Sequence, residues 1–275
     1  MRDLDALFRS ALADPSLPPA TSVFWVHHGT RLAGAGVTYL NQYVLVRVGR
    51  AFGACAFEPG EIDPAVCAEA SGGPLRDLLA DGPLPLRLAA LDAYLGQAAP
   101  HSEDPRAEQV VLPGGTPEER ALARDAAVAG LVPEPDGRKI GLIGVVNPLV
   151  AAIHDRGGRC LPCDLNLRST RWGDPVTPDM EEVLSEADAV VATGMTLGNG
   201  TFDRILERCR ERDIPLVVYA QSGAAVARAF LGRGVSALSA EPFPFSQFSA
   251  DPTVLYRYRN HGADRRGART GGERG

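Results

Sequence analysis

The segment from Thr193 to Asp203 combines glycines with polar side chains in a pattern typical of a ligand-binding turn. Glycine lets a backbone approach a ligand closely, and hydroxyl and amide groups supply hydrogen bonds. The segment lies between an apolar run and a helical pattern, so its backbone amides would face the ligand from the start of a helix. The ligand-binding residues predicted here are Thr193, Gly194, Thr196, Asn199, Gly200 and Thr201. A capped, glycine-rich turn without a ligand is the alternative.

Three further turns follow apolar runs in the same way, with fewer polar groups. Asn147 is the expected cap of a helix that has Pro148 at its first position. Asp164 lies twenty residues after Gly144, about where dinucleotide-binding domains keep the acid that binds a ribose hydroxyl. The predicted ligand contacts in these turns are Gly144, Asn147, Asp164, Gln221 and Ser222. Capping of strands and helices alone would also explain them.

Several helix starts directed at one crevice would stabilise negative charge on a phosphate, sulfate or carboxylate group. Such a site suits group transfer or ring closure that expels an anion. The candidate catalytic residues are Asp164 and Glu58 as general bases and Tyr39 as a hydrogen-bond donor. The sequence has no Gly-x-Gly-x-x-Gly fingerprint, nucleophile elbow or phosphate loop with lysine, which disfavours hydride transfer. S-adenosylmethionine or another nucleoside-type ligand stays open, since Asp164 could bind its ribose.

Cys160 and Cys163 form the one Cys-x-x-Cys pair of the sequence and are the candidate ligands if a metal ion is bound. Both lie in or beside a predicted buried strand, where a free cysteine is usually a small core residue. His27 and His28 are adjacent on a predicted strand, so they point to opposite faces and cannot both reach one ion. A metal site is therefore the alternative prediction.

The second half of the chain must position most of these groups. Between Lys139 and Tyr258, near-continuous apolar runs alternate with helical patterns, as expected for parallel strands covered on both faces. We predict a Rossmann-like, doubly wound parallel sheet over residues 139–260, with its ligand crevice at the carboxyl ends of the strands. The tail 261–275, rich in arginine and glycine, is predicted to be disordered.

The first half has a different pattern. After a short amphipathic helix, strand-like segments rich in β-branched and aromatic residues give way to a helical period beyond Pro59. This order predicts a small α+β domain over residues 1–105. A capped helix and a Pro-bearing linker at 106–138 would bridge it to the second domain.

Composition excludes several classes of protein. The apolar fraction is 45%, typical of a globular chain, and no apolar run approaches the length of a membrane span. The formal net charge of -6, without a basic block in the body of the chain, argues against nucleic acid as a partner. The five cysteines do not form a disulfide framework. We expect a cytoplasmic protein whose partner is a small-molecule ligand rather than a membrane, with a homodimer left open.

Five segments in both halves together resemble one known family. They are Gly53–Gly60, Pro85–Ala93, Gly141–Val150, Glu186–Gly194 and Asn199–Leu206. On these segments the chain resembles the "putative heavy-metal chelation" family, which is of unknown function. The resemblance implies an enolase-N-terminal-like domain followed by a Rossmann-like domain, with a site between them. Where the family commonly has a Val-Gly-Pro-Ser-Thr-Pro-like turn, this chain has Val218 to Gly223, which predicts a different wall of the cleft.

Two functions follow from these patterns. The first is an enzyme of small-molecule, specialised biosynthetic metabolism that binds an anionic or nucleoside-like ligand in the interdomain cleft. A transferase or a cyclase or lyase fits it better than an oxidoreductase. The second, implied by the resemblance, is heavy-metal chelation without catalysis.

Overall fold

The computed structural model describes residues 2–31 and 38–260 of the chain. The tail predicted to be disordered, 261–275, lies outside the described residues. Within the described ranges, no helix combines the length and apolar character needed to cross a membrane.

The first part of the chain forms a small antiparallel sheet with helices around it. The elements are α1 (Leu4–Leu12), β1 (Ser22–Thr30), β2 (Tyr39–Val48), β3 (Ala51–Phe57), α2 (Val66–Ala70), α3 (Leu75–Ala80) and α4 (Leu84–Ala98). The strand order is β1-β2-β3, with both pairs antiparallel. The helix α1 starts where the Asp3 carboxylate accepts a hydrogen bond from Ala6 N at 2.8 Å, as an N-cap does. The small α+β unit predicted from the sequence is therefore present.

The second part forms a seven-stranded sheet with helices on both faces. Its elements are β4 (Glu108–Leu112), α5 (Pro117–Ala129), β5 (Lys139–Ile143), α6 (Asn147–Asp155), β6 (Arg159–Cys163), α7 (Met180–Glu186), β7 (Ala189–Thr193), α8 (Met195–Gly198), α9 (Phe202–Glu211), β8 (Leu216–Ala220), α10 (Ala224–Arg228), β9 (Ala237–Ala240) and β10 (Thr253–Arg259). The strand order is β4-β10-β9-β8-β7-β5-β6. The strands β6, β5, β7, β8 and β9 are parallel, whereas β10 is antiparallel to both of its neighbours, β9 and β4. The predicted Rossmann-like, doubly wound sheet is confirmed.

Two strands of this sheet were not expected from the sequence pattern. The strand β9 has the sequence Ala-Leu-Ser-Ala, which contains no β-branched or aromatic residue. The strand β4 lies in the segment 106–138 that we predicted as a bridge, and it pairs with β10 at the edge of the sheet. That segment thus adds an edge strand and the helix α5 to the large sheet.

Apolar side chains cover both faces of the large sheet. On one face, Val128 of α5 and Leu149 of α6 pack in a cluster with strand residues such as Val191. On the other face, strand residues pack with α7, α9 and α10 in a cluster that also includes side chains of α1, the small sheet and α4. The small unit therefore shares its core with one face of the large sheet.

Asp92, a buried residue of α4, connects the small sheet to α10. Its Oδ2 accepts a hydrogen bond from Ala54 N at 3.1 Å, and its Oδ1 accepts from Ala225 N and Val226 N at 2.7 and 3.2 Å. Burial raises the pKa of this carboxyl to about 6, although the three backbone donors oppose the rise. The side chain satisfies backbone groups of both parts of the molecule.

Candidate functional site

The carboxyl ends of β5, β7 and β8 meet at Tyr219. Its hydroxyl donates a hydrogen bond to Gly144 O at 2.8 Å, and its backbone oxygen accepts one from Gly194 N at 2.8 Å. The residue Gly144 has φ of +84°, and a methyl group there would lie 2.5 Å from Thr193 Cγ2. Only glycine fits this position, because the neighbouring strand ends are packed this closely. The predicted site residues Gly144, Thr193 and Gly194 are thus brought together.

Asp164, at the end of β6, holds two loops by their backbone. Its Oδ2 accepts a hydrogen bond from Val145 N at 3.0 Å, and its Oδ1 accepts from Asn166 N and Leu167 N at 2.8 and 3.2 Å. Both oxygens therefore already have protein partners. The carboxylate stands at the start of α6, where it fixes the shape of the β5–α6 loop.

Beside Tyr219, the ends of β8 and β9 carry a buried polar network. The Gln221 Nε2 donates to Glu241 Oε2 at 2.8 Å and to Gln247 Oε1 at 2.7 Å. The other Glu241 oxygen accepts a hydrogen bond from Ser246 N. Glu241 is only 3% exposed. Tyr43 of β2 lies beside this network, with its ring 5.3 Å from that of Phe245, and burial raises its pKa against the effect of Arg124 and of the Gln247 side chain. The network therefore joins the large sheet to the small one.

Arg124 and Asp125 of α5 complete this group of side chains. The Arg124 Nε donates to Asp125 Oδ1 at 3.0 Å, and the arginine side chain is 24% exposed. Among the described residues, its two terminal nitrogens have no hydrogen-bond partner. Burial lowers the pKa of Arg124, but the carboxylates of Asp125 and Glu241 more than offset this and raise it. Burial, together with Glu241, raises the pKa of Asp125 against the effect of Arg124.

We call this group of side chains the crevice cluster. Its members are Tyr43, Arg124, Asp125, Tyr219, Gln221, Glu241 and Gln247. Burial raises the pKa of Tyr219 as well, opposed by its hydrogen bond to Thr193. Of its members, only Gln221 was predicted as a site residue. The others come from a strand of the small sheet, from the segment predicted as a bridge and from the ends of β8 and β9, with no shared motif to identify them.

The glycine-rich segment after β7 serves mainly as a packing surface. A methyl group on Gly198 would lie 2.7 Å from Ala56 O of β3, and one on Gly194 would lie 2.6 Å from Ser222 O. The Thr196 side chain is buried and donates to Thr193 O at 2.7 Å. The short helix α8, which the sequence did not indicate, thus lies against the small sheet.

At the far end of this segment, polar groups bond to each other. Asn199 Oδ1 accepts hydrogen bonds from Thr201 N at 3.1 Å and from Thr201 Oγ1 at 2.7 Å. Asn199 and Gly200 are exposed. These atoms form a local turn at the start of α9.

Three further residues that the sequence predicted as site residues lie outside the crevice cluster. Asn147 does not cap α6: the cap is Val146, and Asn147 Oδ1 accepts a hydrogen bond from Arg171 N at 3.3 Å. Glu58 is exposed in the turn after β3. Tyr39 is the first residue of β2, and its side chain lies outside what the structure describes.

The two cysteines of the metal alternative point to opposite faces of β6. Cys160 packs in the cluster with α5 and α6, whereas Cys163 packs in the cluster with α7 and the small unit. Burial raises their pKa values to about 12 and about 11, so both are thiols at neutral pH. Within the described residues, no three His, Cys, Asp or Glu side chains are grouped to hold a metal ion. This donor pair does not fit a shared metal ion.

Comparison with known proteins gives a family and a fold. Residues 127–241 match the model of the DUF364 family, described as "Putative heavy-metal chelation". No curated protein matches the chain. A DUF364 protein of unknown function from Desulfitobacterium hafniense DCB-2 has a similar structure, with a TM-score of 0.61 and 18% identity, over 93% of this chain and 96% of that one.

A second DUF364 protein of unknown function, from Pyrococcus horikoshii, has a TM-score of 0.60 and 16% identity. The alignment covers 94% of this chain and 99% of that protein. The resemblance predicted from the sequence is thereby confirmed. Residues 127–241 match the DUF364 family model, and the chain as a whole has the fold of two DUF364 proteins whose function is unknown.

Proposed function

We propose that this protein is an enzyme of small-molecule metabolism that binds a ligand with an anionic group in the crevice cluster. The observation that carries the proposal is the Arg124 guanidinium. It is mostly buried, it is held by Asp125 through Nε, and among the described residues its two terminal nitrogens have no partner. A guanidinium fork of this kind pairs with a carboxylate or phosphate through two parallel hydrogen bonds.

The position of the cluster supports the proposal. In open α/β sheets, ligands bind outside the carboxyl ends of the parallel strands. Tyr219 and Glu241 stand at two such ends, and Tyr43 reaches the same place from the small sheet. The cluster therefore lies where the small sheet meets the carboxyl ends of the large one, which supports the proposal.

The charges of the cluster suit a reaction that releases an anion. Negative charge that develops on a leaving group beside Arg124 would be stabilised by a fixed, poorly solvated cation. Burial raises the pKa of Asp125, so among the acids of the cluster we assign this carboxyl the transfer of a proton. Group transfer or ring closure with an anionic leaving group fits these properties.

A nucleoside-type ligand such as S-adenosylmethionine remains part of the proposal. Asp164 flanks the cluster across the β5–α6 loop, but its oxygens already accept three backbone hydrogen bonds. It would therefore bind a ribose hydroxyl only through remaining lone pairs. We accordingly assign the anionic group, rather than the ribose, the main share of binding.

The test is binding of defined ligands to wild type, Arg124→Met and Arg124→Lys. Phosphate, adenosine, adenosine monophosphate and S-adenosylhomocysteine are titrated by calorimetry and by thermal shift. We expect at least one ligand with an anionic group to bind wild type and to bind Arg124→Met at least about tenfold more weakly, because a charge-assisted hydrogen bond is lost. Arg124→Lys should be intermediate, since lysine keeps the charge and loses the fork.

Arg9→Met is the matched control, because Arg9 is an exposed arginine on α1. It should bind as wild type does. Equal affinity of wild type and Arg124→Met for every ligand that binds would overturn the proposed site.

A further inference from the structure

We propose that the ligand of the crevice cluster is a zwitterion of the amino-acid type, whose anionic group pairs with Arg124 and whose ammonium group pairs with Glu241 and Asp125. This inference rests on the proposed function and specifies its ligand. It follows from the hydrogen-bonding groups that the cluster leaves available.

The charged side chains of the cluster favour a ligand that carries both charges. The carboxylates that act on Arg124 are Asp125 and Glu241, and both are more than nine-tenths buried. One guanidinium therefore faces two buried carboxylates. A ligand with only negative charge would satisfy Arg124 and leave a buried carboxylate without a cation, which is unfavourable in a medium of low polarity. A ligand that also carries an ammonium group gives Glu241 a cationic neighbour, while Asp125 keeps its hydrogen bond to Arg124.

The hydrogen-bonding groups that Glu241, Asp125 and Gln221 leave available are acceptors. Each Glu241 oxygen accepts one hydrogen bond, from Ser246 N and from Gln221 Nε2. Asp125 Oδ1 accepts one from Arg124. Because a carboxylate offers about four lone-pair directions, acceptor positions remain on both acids. Both protons of the Gln221 amide are used, toward Glu241 and Gln247, so this side chain also has only an acceptor left.

Arg124 thus offers a ligand one donating fork, and Glu241, Asp125 and Gln221 offer acceptors. A carboxylate or phosphate matches the fork, and an ammonium group, which has three donors and no acceptor, matches the rest. An ammonium on the carbon next to a carboxylate places both groups within a few ångströms of each other. Such a compact ligand fits Arg124 and Asp125, whose side chains are hydrogen bonded at 3.0 Å.

A divalent metal ion is a poorer match for the two acids. Within the part of the chain that the structure describes, no third His, Cys, Asp or Glu joins them as a ligand. The Arg124 charge beside them would repel a dication, whereas a zwitterion adds no net charge. An ammonium group also tolerates the hydrogen bonds that already occupy part of each carboxylate.

The test uses a protein-free metabolite extract, below about 3 kDa, from cells that produce the protein. Wild type and Arg124→Met are incubated with the extract, desalted rapidly and denatured, and the released compounds are identified by mass spectrometry. One portion of the extract is first treated with acetic anhydride, which blocks amines, and another with acidic methanol, which esterifies carboxylates. A further portion is treated with a metal chelator.

We expect a compound with an amine and an acidic group that wild type retains and Arg124→Met does not. Acetylation should reduce its retention at least tenfold, and esterification should do the same if the acid is a carboxylate. Chelation should have no effect. Because the ligand is changed and the protein is not, this result does not depend on how well a variant folds.

Glu241→Gln and Asp125→Asn then test the two acids, with retention of the same compound expected to fall at least fivefold for one or both. Retention of an acid without an amine, or retention that survives acetylation, would overturn the zwitterion and leave the proposed function intact. If the chelator abolishes retention, a metal ion rather than an ammonium group pairs with the two acids, and the zwitterion is overturned. If no compound depends on Arg124, the proposed function itself fails, and this inference with it.

Discussion

Two regions at the carboxyl edge of the large sheet differ in what they contact. The segment from Thr193 to Thr201 has the glycines and hydroxyls of a ligand-binding turn, and β3 of the small sheet covers much of it. The crevice cluster has no glycine-rich motif, and its mostly buried Arg124 has terminal nitrogens that are unpaired among the described residues. Both regions follow parallel strands of one sheet. They differ because β3 of the small sheet packs directly against the first region.

The comparison shows what a glycine-rich turn indicates. Glycine marks a place where another group approaches the backbone closely, and that group can be a ligand or another segment of the same protein. At Gly198 the group is Ala56 O. The spacing of polar residues did not distinguish the two cases, because it says nothing about what covers the turn.

The largest expected effect is on stability, from Gly198→Ala. The added methyl group would lie 2.7 Å from Ala56 O and 2.8 Å from Cys55 Sγ, so the backbones of α8 and β3 must move apart. We expect the free energy of unfolding in urea to fall by about 3 kcal/mol. Gly96→Ala is the control, since its new methyl group would meet Ala51 Cβ at an ordinary 3.5 Å. If Gly198→Ala keeps the stability of wild type and loses ligand binding, the segment is a ligand site.

The next effect is the change of stability with pH that comes from Asp92. Burial raises the pKa of Asp92 from 3.8 to about 6, so between these values the folded protein keeps a proton that the unfolded chain has lost. The contribution of this group to stability is full below about pH 4 and is lost as the pH rises to about 6. Asp92→Asn cannot titrate.

We therefore expect the stability of wild type relative to Asp92→Asn to fall by up to about 3 kcal/mol between pH 4 and pH 6. Urea unfolding of both proteins across this range measures it. A difference that is constant, or that grows with pH, would show that Asp92 is charged and stable in its buried position.

A smaller effect on stability is expected from the two cysteines of β6, and it tests whether they are core residues or metal ligands. Cys160→Ala and Cys163→Ala should each lower the free energy of unfolding by about 1 kcal/mol, because each removes a buried sulfur that packs on a different face of β6. Neither should change the metal content measured by native mass spectrometry after incubation with zinc. Loss of one bound zinc in either variant would mean that the thiols move to a common ion.

The smallest effect is expected from Asn199→Ala. Asn199 is exposed, and its side chain bonds only to Thr201 in the local turn, so the free energy of unfolding should change by less than about 1 kcal/mol. Binding of ligands that depend on Arg124 should be unchanged in calorimetry. A large loss of that binding would show that the turn and the crevice cluster form one site.

The parallel strands were predictable because buried strands leave a clear pattern. The strand β7 was predicted with its observed bounds, Ala189–Thr193, since five apolar or β-branched residues stand between two polar segments. The strand β9 was missed because Ala-Leu-Ser-Ala has no such signal. Because β9 was missed, the place of Glu241 directly after a strand could not be seen.

The crevice cluster was beyond prediction for a different reason. Tyr43 and Glu241 are separated by almost 200 residues, and only the packing of the small sheet over the large one brings them together. Arg124 and Asp125 have the pattern of an ordinary helix with a capping box. The sequence does locate the edge of the sheet at which the cluster lies, since Gly144 and Gln221 were selected there.

The pairing of β9 with β10 has a consequence for how the family domain can be handled in isolation. The matched residues 127–241 end directly after β9, whereas β10, which pairs with β9 along Ala237–Ala240, comes later in the chain. A fragment cut at these limits would expose a strand edge, and the apolar face that normally lies under the small unit would also be uncovered. We therefore expect the segment that sequence comparison recognises to aggregate when it is produced without β10 and the small unit.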